Sequence, residues 1–143
     1  MLEKKLMSKL LIDTNLLIYT IDQESKYFEK TNALFNNNKY SLYTTSKNLS
    51  EFLAVVTRLP YSPLNSNEAI AAVKSFQKLF VTLYPSSESY GIFIDLVKKH
   101  DGIGLKIHDI EIDSIAISHE ITSIATINKK DFDYITGIDV HEL

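Results

Sequence analysis

Leu10-Leu11-Ile12-Asp13-Thr14-Asn15 decides how this chain is read. Three consecutive apolar residues ending in a carboxylate form a short strand buried on both faces. Thr14 or Asn15 then caps a helix reaching to about Ile21. Outward from this point, strands and helices alternate. Glu24 to Asn36 is expected as a helix and Tyr40 to Thr44, rich in β-branched and aromatic residues, as a strand. Leu49, Phe52, Leu53 and Val56 fall at i, i+3, i+4 and i+7, the most regular helical pattern in the chain. Pro60 and Pro63 break the segment that follows. A helix is expected over Asn67 to Leu79, a strand over Phe80 to Tyr84 stopped by Pro85, and a helix from Ser86 to about Lys99.

The C-terminal third starts after the loop Asp101-Gly-Ile-Gly104. Lys106 to His108 is expected as a very short strand. Asp109 to Glu120 is expected as a helix with Ile112, Ile115, Ala116 and His119 on one face. Ser123 to Thr126 reads as a strand, Asn128 to Asp133 as a helical turn and Ile138 to Val140 as a last edge strand. The alternation argues for an α/β fold, a Rossmann-like parallel sheet of about five strands with helices on both faces. Residues 1-143 are expected to form a single domain.

Composition narrows the function. The chain has 143 residues, 45% of them apolar, which is enough for a core. It has no cysteine, which removes thiol nucleophiles, Cys-ligated zinc and iron–sulfur clusters. A net charge of −3 speaks against a general nucleic-acid coat but not against an enzyme with one local basic patch. Arg58 is the only arginine, so phosphate contacts would fall to lysine or backbone N–H groups. The charged start Met1–Lys9 does not read as a signal peptide, and no stretch is long and apolar enough for a membrane span. A soluble, cytoplasmic protein with no membrane partner is expected.

In a doubly wound sheet, function gathers at the carboxyl ends of the strands. Asp13 closes the first strand. Asp109, Asn128 and Asp131 follow later ones, and Glu51 sits on the regular helix beside its apolar stripe. Clustered carboxylates repel one another, and a divalent cation removes that penalty. Hard oxygen ligands suit Mg²⁺ or Mn²⁺, which can activate water and orient a phosphodiester. Spacing alone also fits phosphoacceptor and dehalogenase-type folds. A dinucleotide fold is disfavoured, because no G-x-G-x-x-G follows the first strand.

The residues carry a resemblance. Leu-Ile-Asp13-Thr14-Asn15 resembles the opening motif of PIN domains (PilT N-terminus). Ser50-Glu51-Phe52 resembles their second acidic motif, and Ile107-His108-Asp109 before a helix resembles the third. Thr126-Ile-Asn128-Lys-Lys-Asp131-Phe132 is similar to the T-x-N-x-x-D-F ending of the VapC toxin ribonucleases. The resemblance runs from about Lys9 to Val140. It implies a PIN-like fold and a Mg²⁺-dependent endoribonuclease, with Mn²⁺ as the alternative ion. It also implies the toxin role in a type II toxin–antitoxin pair, with RNA as substrate, a cognate antitoxin as partner and a homodimer as the assembly. Carried over, Asp13, Glu51 and Asp109 are the metal-binding, catalytic acids. Asp131 or Asn128 fills the fourth position, and Thr126 supports it.

Two positions depart from the family pattern. Glu120 stands where glycine is frequent, which points to a differently built turn. Asp113, one helical turn from Asp109, is either an outer ligand or a solvated charge. Thr14, Asn15 and Ser46 are candidates for positioning the acids. His108 suits packing or hydrogen bonding better than general-base work. His119 is expected half-buried. The simpler readings of Asp13 as a helix cap, and of Glu51 as the far end of a capping box begun at Asn48, stand beside these. Two other functions remain in view: a PIN-fold binding module without turnover, and a PIN nuclease of RNA maturation or DNA repair.

Overall fold

In strand β1 (Ser8–Ile12), Ser8 and Lys9 are exposed and the apolar run Leu10 to Ile12 is buried on both faces. Leu10 and Ile12 enter one core, and Leu11 enters the other. The computed structural model describes residues 7–143, so most of the charged start read as not being a signal peptide lies outside the described residues. Helix α1 (Thr14–Tyr19) follows at once, with Asp13 as its N-cap. Next come α2 (Phe28–Phe35), β2 (Tyr40–Thr45), α3 (Ser46–Val56), α4 (Ser66–Leu79) and β3 (Val81–Leu83). The last third holds α5 (Ser87–His100), α6 (Lys106–Ser118), β4 (Ser123–Thr126), a 3₁₀ turn (Lys129–Asp131) and β5 (Asp139–Glu142).

The strands form one five-stranded sheet in the order β3-β2-β1-β4-β5, and every pairing is parallel. The chain winds outward from β1 to β3, then returns to lay β4 on the other side of β1. This puts the topological switch point between the carboxyl ends of β1 and β4, where open α/β sheets bind ligands. Residues of α1 to α4 fill the core on one face. There Phe52 meets Phe76 edge-on, with ring centroids 5.1 Å apart, and Phe76 stacks on Phe80 at 5.9 Å. Residues of α5 and α6 fill the core on the other face. No helix among the described residues is long and apolar enough to cross a membrane.

Four local expectations are corrected. Lys106 to His108 is the first turn of α6, not a strand. Gly104, at φ +62°, turns the chain, and the N–H groups of Ile107 and His108 bond back to the Gly104 and Leu105 carbonyls. Helix α2 starts at Phe28 and not at Glu24. Ahead of it, Asp22 Oδ1 accepts from the Glu24 N–H and Ser25 Oγ from the Tyr27 N–H, and such local bonds compete with a helical turn. The turn after α6 keeps a left-handed residue despite lacking glycine: Glu120 itself sits at φ +60°. The Ile121 N–H reaches the Ala116 carbonyl at 3.0 Å, the long bond of a Schellman turn. His119 is exposed at the end of that helix, where the apolar face has already run out.

Candidate active site

Asp13 stands at the switch point and is only 7% exposed. Both of its oxygens are held. Oδ1 accepts from the Thr14 N–H at 2.8 Å, and Oδ2 accepts from Thr126 Oγ1, at the end of β4, at 2.7 Å. Burial is the main cause that pushes its pKa from 3.8 up to about 6. The two hydrogen bonds oppose that rise, and the charges of Glu51 and Asp131 add to it. Asp13 is therefore a cap, as the simplest reading had it, and also one member of a set of mutually repelling acids.

Glu51 is exposed on α3, one step off the buried stripe of Leu49, Phe52 and Val56. Thr14 Oγ1 donates to Glu51 Oε2 at 3.1 Å and accepts from Asn48 Nδ2 at 3.0 Å. Asn48 Oδ1 accepts in turn from Thr45 Oγ1 at 2.6 Å. The capping box of α3 is thus Thr45 with Asn48, one turn earlier than a box joining Asn48 to Glu51. That register leaves the Glu51 carboxylate free to face Thr14. Asn48 is buried and ties three elements together. The spacing Thr45-x-x-Asn48 before an apolar run was the signal that could have found it. Among the described residues, no hydrogen bond joins Asn15 or Ser46 to an acidic side chain.

Asp109 lies in the first turn of α6. Burial raises its pKa to about 7, helped by Asp131, Asp13 and Glu51 in that order. Asp131 ends the 3₁₀ turn and is exposed. Asp13, Glu51, Asp109 and Asp131 thus come from four separate segments, and the charges of Glu51 and Asp131 raise both Asp13 and Asp109. Asn128 is exposed, and its N–H donates to Thr126 Oγ1 at 3.0 Å, so it braces the Thr126–Asp13 contact through its backbone.

Asp113 is fully buried, which removes the solvated-charge reading. Neither of its oxygens has a hydrogen-bond partner. Burial, then Asp109 and Asp13, hold its carboxyl well above the usual range. Sequence reasoning missed Tyr134. Its hydroxyl is buried without a partner, and burial and then Asp109, Asp113 and Asp131 push its pKa up. His108 is exposed at the rim. With Lys47, Glu51, Leu105, Asp109, Glu111 and Ile112 it lines a cleft of about 390 Å³.

The donors here are hard oxygens, and two carboxyls have been driven toward neutrality by burial and by one another, a strain that a divalent cation relieves. The residue types therefore fit such an ion. Among the described residues, no three His, Asp or Glu side chains stand as a ready-made metal centre.

The PIN-domain family model matches residues 10–137. The chain belongs to the PIN-domain family. This PIN domain is similar to the VapBC2 complex of Rickettsia felis bound to a fragment of its promoter DNA, with a TM-score of 0.69 and 18% identity, covering 94% of this chain and 98% of that one. It is similar to DNA-bound VapBC of Salmonella typhimurium, with a TM-score of 0.66 and 22% identity over 95% and 98% of the two chains. It also matches VapC20 of Mycobacterium tuberculosis, a toxin that cleaves the sarcin–ricin loop, with a TM-score of 0.65 and 12% identity over 80% and 86%. At these identities the likeness is one of fold. No curated protein matches the sequence significantly.

Proposed function

We propose that this PIN domain is a divalent-metal-dependent endoribonuclease acting as the toxin of a type II toxin–antitoxin pair. The observation that carries the reading is that Asp13, at the switch point, and Asp109, on α6, are raised to about 6 and 7 by burial and by the charges of neighbouring acids that include Glu51 and Asp131. The VapBC complexes among its structural neighbours support an antitoxin partner. RNA as the substrate is in keeping with the sarcin–ricin-loop-cleaving VapC20 among the structural neighbours.

Asp13, Glu51, Asp109 and Asp131 would hold the cation, Mg²⁺ or Mn²⁺. When bound, it supplies Lewis acidity at the phosphodiester and lowers the pKa of water. The chain's own part is orientation. The Thr14 N–H and the Thr126 hydroxyl fix both oxygens of Asp13, and the Thr14 hydroxyl aims Glu51. Asp109 approaches from α6 on the other layer and Asp131 from the 3₁₀ turn after β4.

The test is cleavage of cellular RNA by the purified protein with Mg²⁺ or Mn²⁺, set against a variant carrying Asp13→Asn and Asp109→Asn. Wild type should release products with 5′-phosphates, and the double variant should be folded and inactive. Cleavage at the wild-type rate by the double variant would refute the site. A wild type that binds RNA yet cleaves none would shift the reading to a binding module. The toxin role is tested in cells: induced expression should arrest growth, and co-expression of the product of an adjacent small reading frame should restore it.

A further inference from the structure

The cleft above the acids is bridged at its mouth. Lys47 Nζ on α3 lies 3.3 Å from Glu111 Oε2 on α6. Lys47 stands one helical turn before Glu51, and Glu111 two residues after Asp109, and all four line the same cleft. The pair therefore joins the two helices that carry these carboxylates. It does little for either helix. Lys47 sits in the first turn of α3, where the dipole disfavours a cation, and a half-exposed pair contributes little to stability.

A lysine four residues before a glutamate on one helix is within reach of it. Left free, Lys47 would fall back on Glu51 and neutralise the acid pocket. Glu111 holds it away, while Thr14 occupies Glu51. An RNA strand entering a cleft lined by Glu51, Asp109 and Glu111 meets repulsion and needs a cation to hold its backbone. Among the residues lining the cleft, Lys47 is the one permanent cation. Arg58, the only arginine, lies past the opposite end of α3.

We propose that Lys47 is the phosphate-binding residue of this cleft, parked on Glu111 in the free protein and transferred to an RNA phosphate on binding. The transfer exchanges one anionic partner for another, so the ammonium is never left bare. The proposal rests on the ribonuclease reading.

The test is binding of a fluorescein-labelled, mixed-sequence 20-nucleotide single-stranded RNA in Mg²⁺, followed by anisotropy across a salt series. The Asp109→Asn background keeps the RNA intact. Adding Lys47→Ala should weaken binding roughly fivefold, the upper range for an exposed ion pair. It should also make the salt slope shallower by about 0.7, the loss of one single-strand phosphate contact. Lys47→Arg should retain affinity. Glu111→Gln should tighten binding, because it frees the lysine. The opposite signs are decisive. If the pair merely pins α3 to α6, Lys47→Ala and Glu111→Gln will weaken binding alike and lower Tm together, and the proposal fails. If the background protein binds RNA and Lys47→Ala binds it equally well, this inference fails alone. If the background and the wild type neither bind nor cleave RNA, the ribonuclease reading falls with it.

Discussion

Thr126 Oγ1 and Asp13 Oδ2 are joined by a 2.7 Å hydrogen bond across 113 residues of sequence, at the point where β1 and β4 run side by side. The bond is buried and its acceptor is a carboxylate, so its removal strands a desolvated charge. Thr126→Val should destabilise the domain by about 1–3 kcal/mol at neutral pH, and Thr126→Ser should recover most of the loss. Urea unfolding of the three proteins checks this. Equal stability of the valine variant and wild type would mean that the bond contributes nothing.

The metal-free protein should show a stability that falls as pH rises from about 4 to about 7. The sign follows from the shifts. Asp13 and Asp109 release protons near 3.8 when unfolded, but only near 6 and 7 when folded. Between those values the native state binds more protons, so raising the pH favours unfolding. The Tm advantage of Asp109→Asn over wild type, both in EDTA, should therefore grow with pH, reaching about 3–5 °C at pH 7.5. Millimolar Mg²⁺ or Mn²⁺ should reverse the order by binding the native wild type. A difference that does not change with pH would contradict the raised Asp109 carboxyl.

Complete burial, then the charges of Asp109 and Asp13, hold the Asp113 carboxyl well above the usual carboxylate range and so favour its protonated form. Asn is close in shape to a protonated carboxyl. Asp113→Asn should cost no more than about 3 kcal/mol at pH 6, the range for an unpaired buried donor, and leave the metal-induced rise in Tm intact. Loss of that rise in the variant would instead make Asp113 an outer ligand of the ion.

Glu120 occupies a left-handed conformation at φ +60° that costs a side chain about 1–2 kcal/mol. Glu120→Gly should raise stability by about 1 kcal/mol, less the entropy glycine adds to the unfolded chain. Thermal unfolding measures it, and a lower Tm in the glycine variant would show that the glutamate side chain makes up for its backbone.

Much of this was legible in the residues, for reasons that can be named. Leu10 to Ile12 is a short apolar run with no polar alternation, bounded at once by Asp13 and Thr14, which suits a strand buried on both faces. The Leu49–Phe52–Val56 stripe put Glu51 at its edge, where the structure has it. Asp13 and Asp131 were readable from the ends of β1 and β4, whereas Asp109 was placed after a strand that is in fact the first turn of α6. Lys106 to His108 was not legible as helix, because the N-cap of α6 is Leu105, whose side chain makes no capping bond and so leaves no mark. Asp113 misled because α6 is buried nearly all round, through Ile110, Ile112, Ser114 and Ala116, and a helix without a polar face hides which of its charges is inside. The bridge from Lys47 to Glu111 joins helices far apart in sequence, a pairing that no local spacing announces.

The order of the strands also sets a timetable. Asp13 and Glu51 leave the ribosome early, but Asp109 arrives on α6, and β4 takes its place beside β1 only after it. Until that final third has been made and docked, Asp13 has no Thr126 to hold it, and the first two acids face no others. Elements made first fold first, so a nascent chain passes through most of its synthesis with an unfinished acid pocket. Whatever chemistry the four carboxylates perform, it has to wait until the segment through Asp131 has been made and docked.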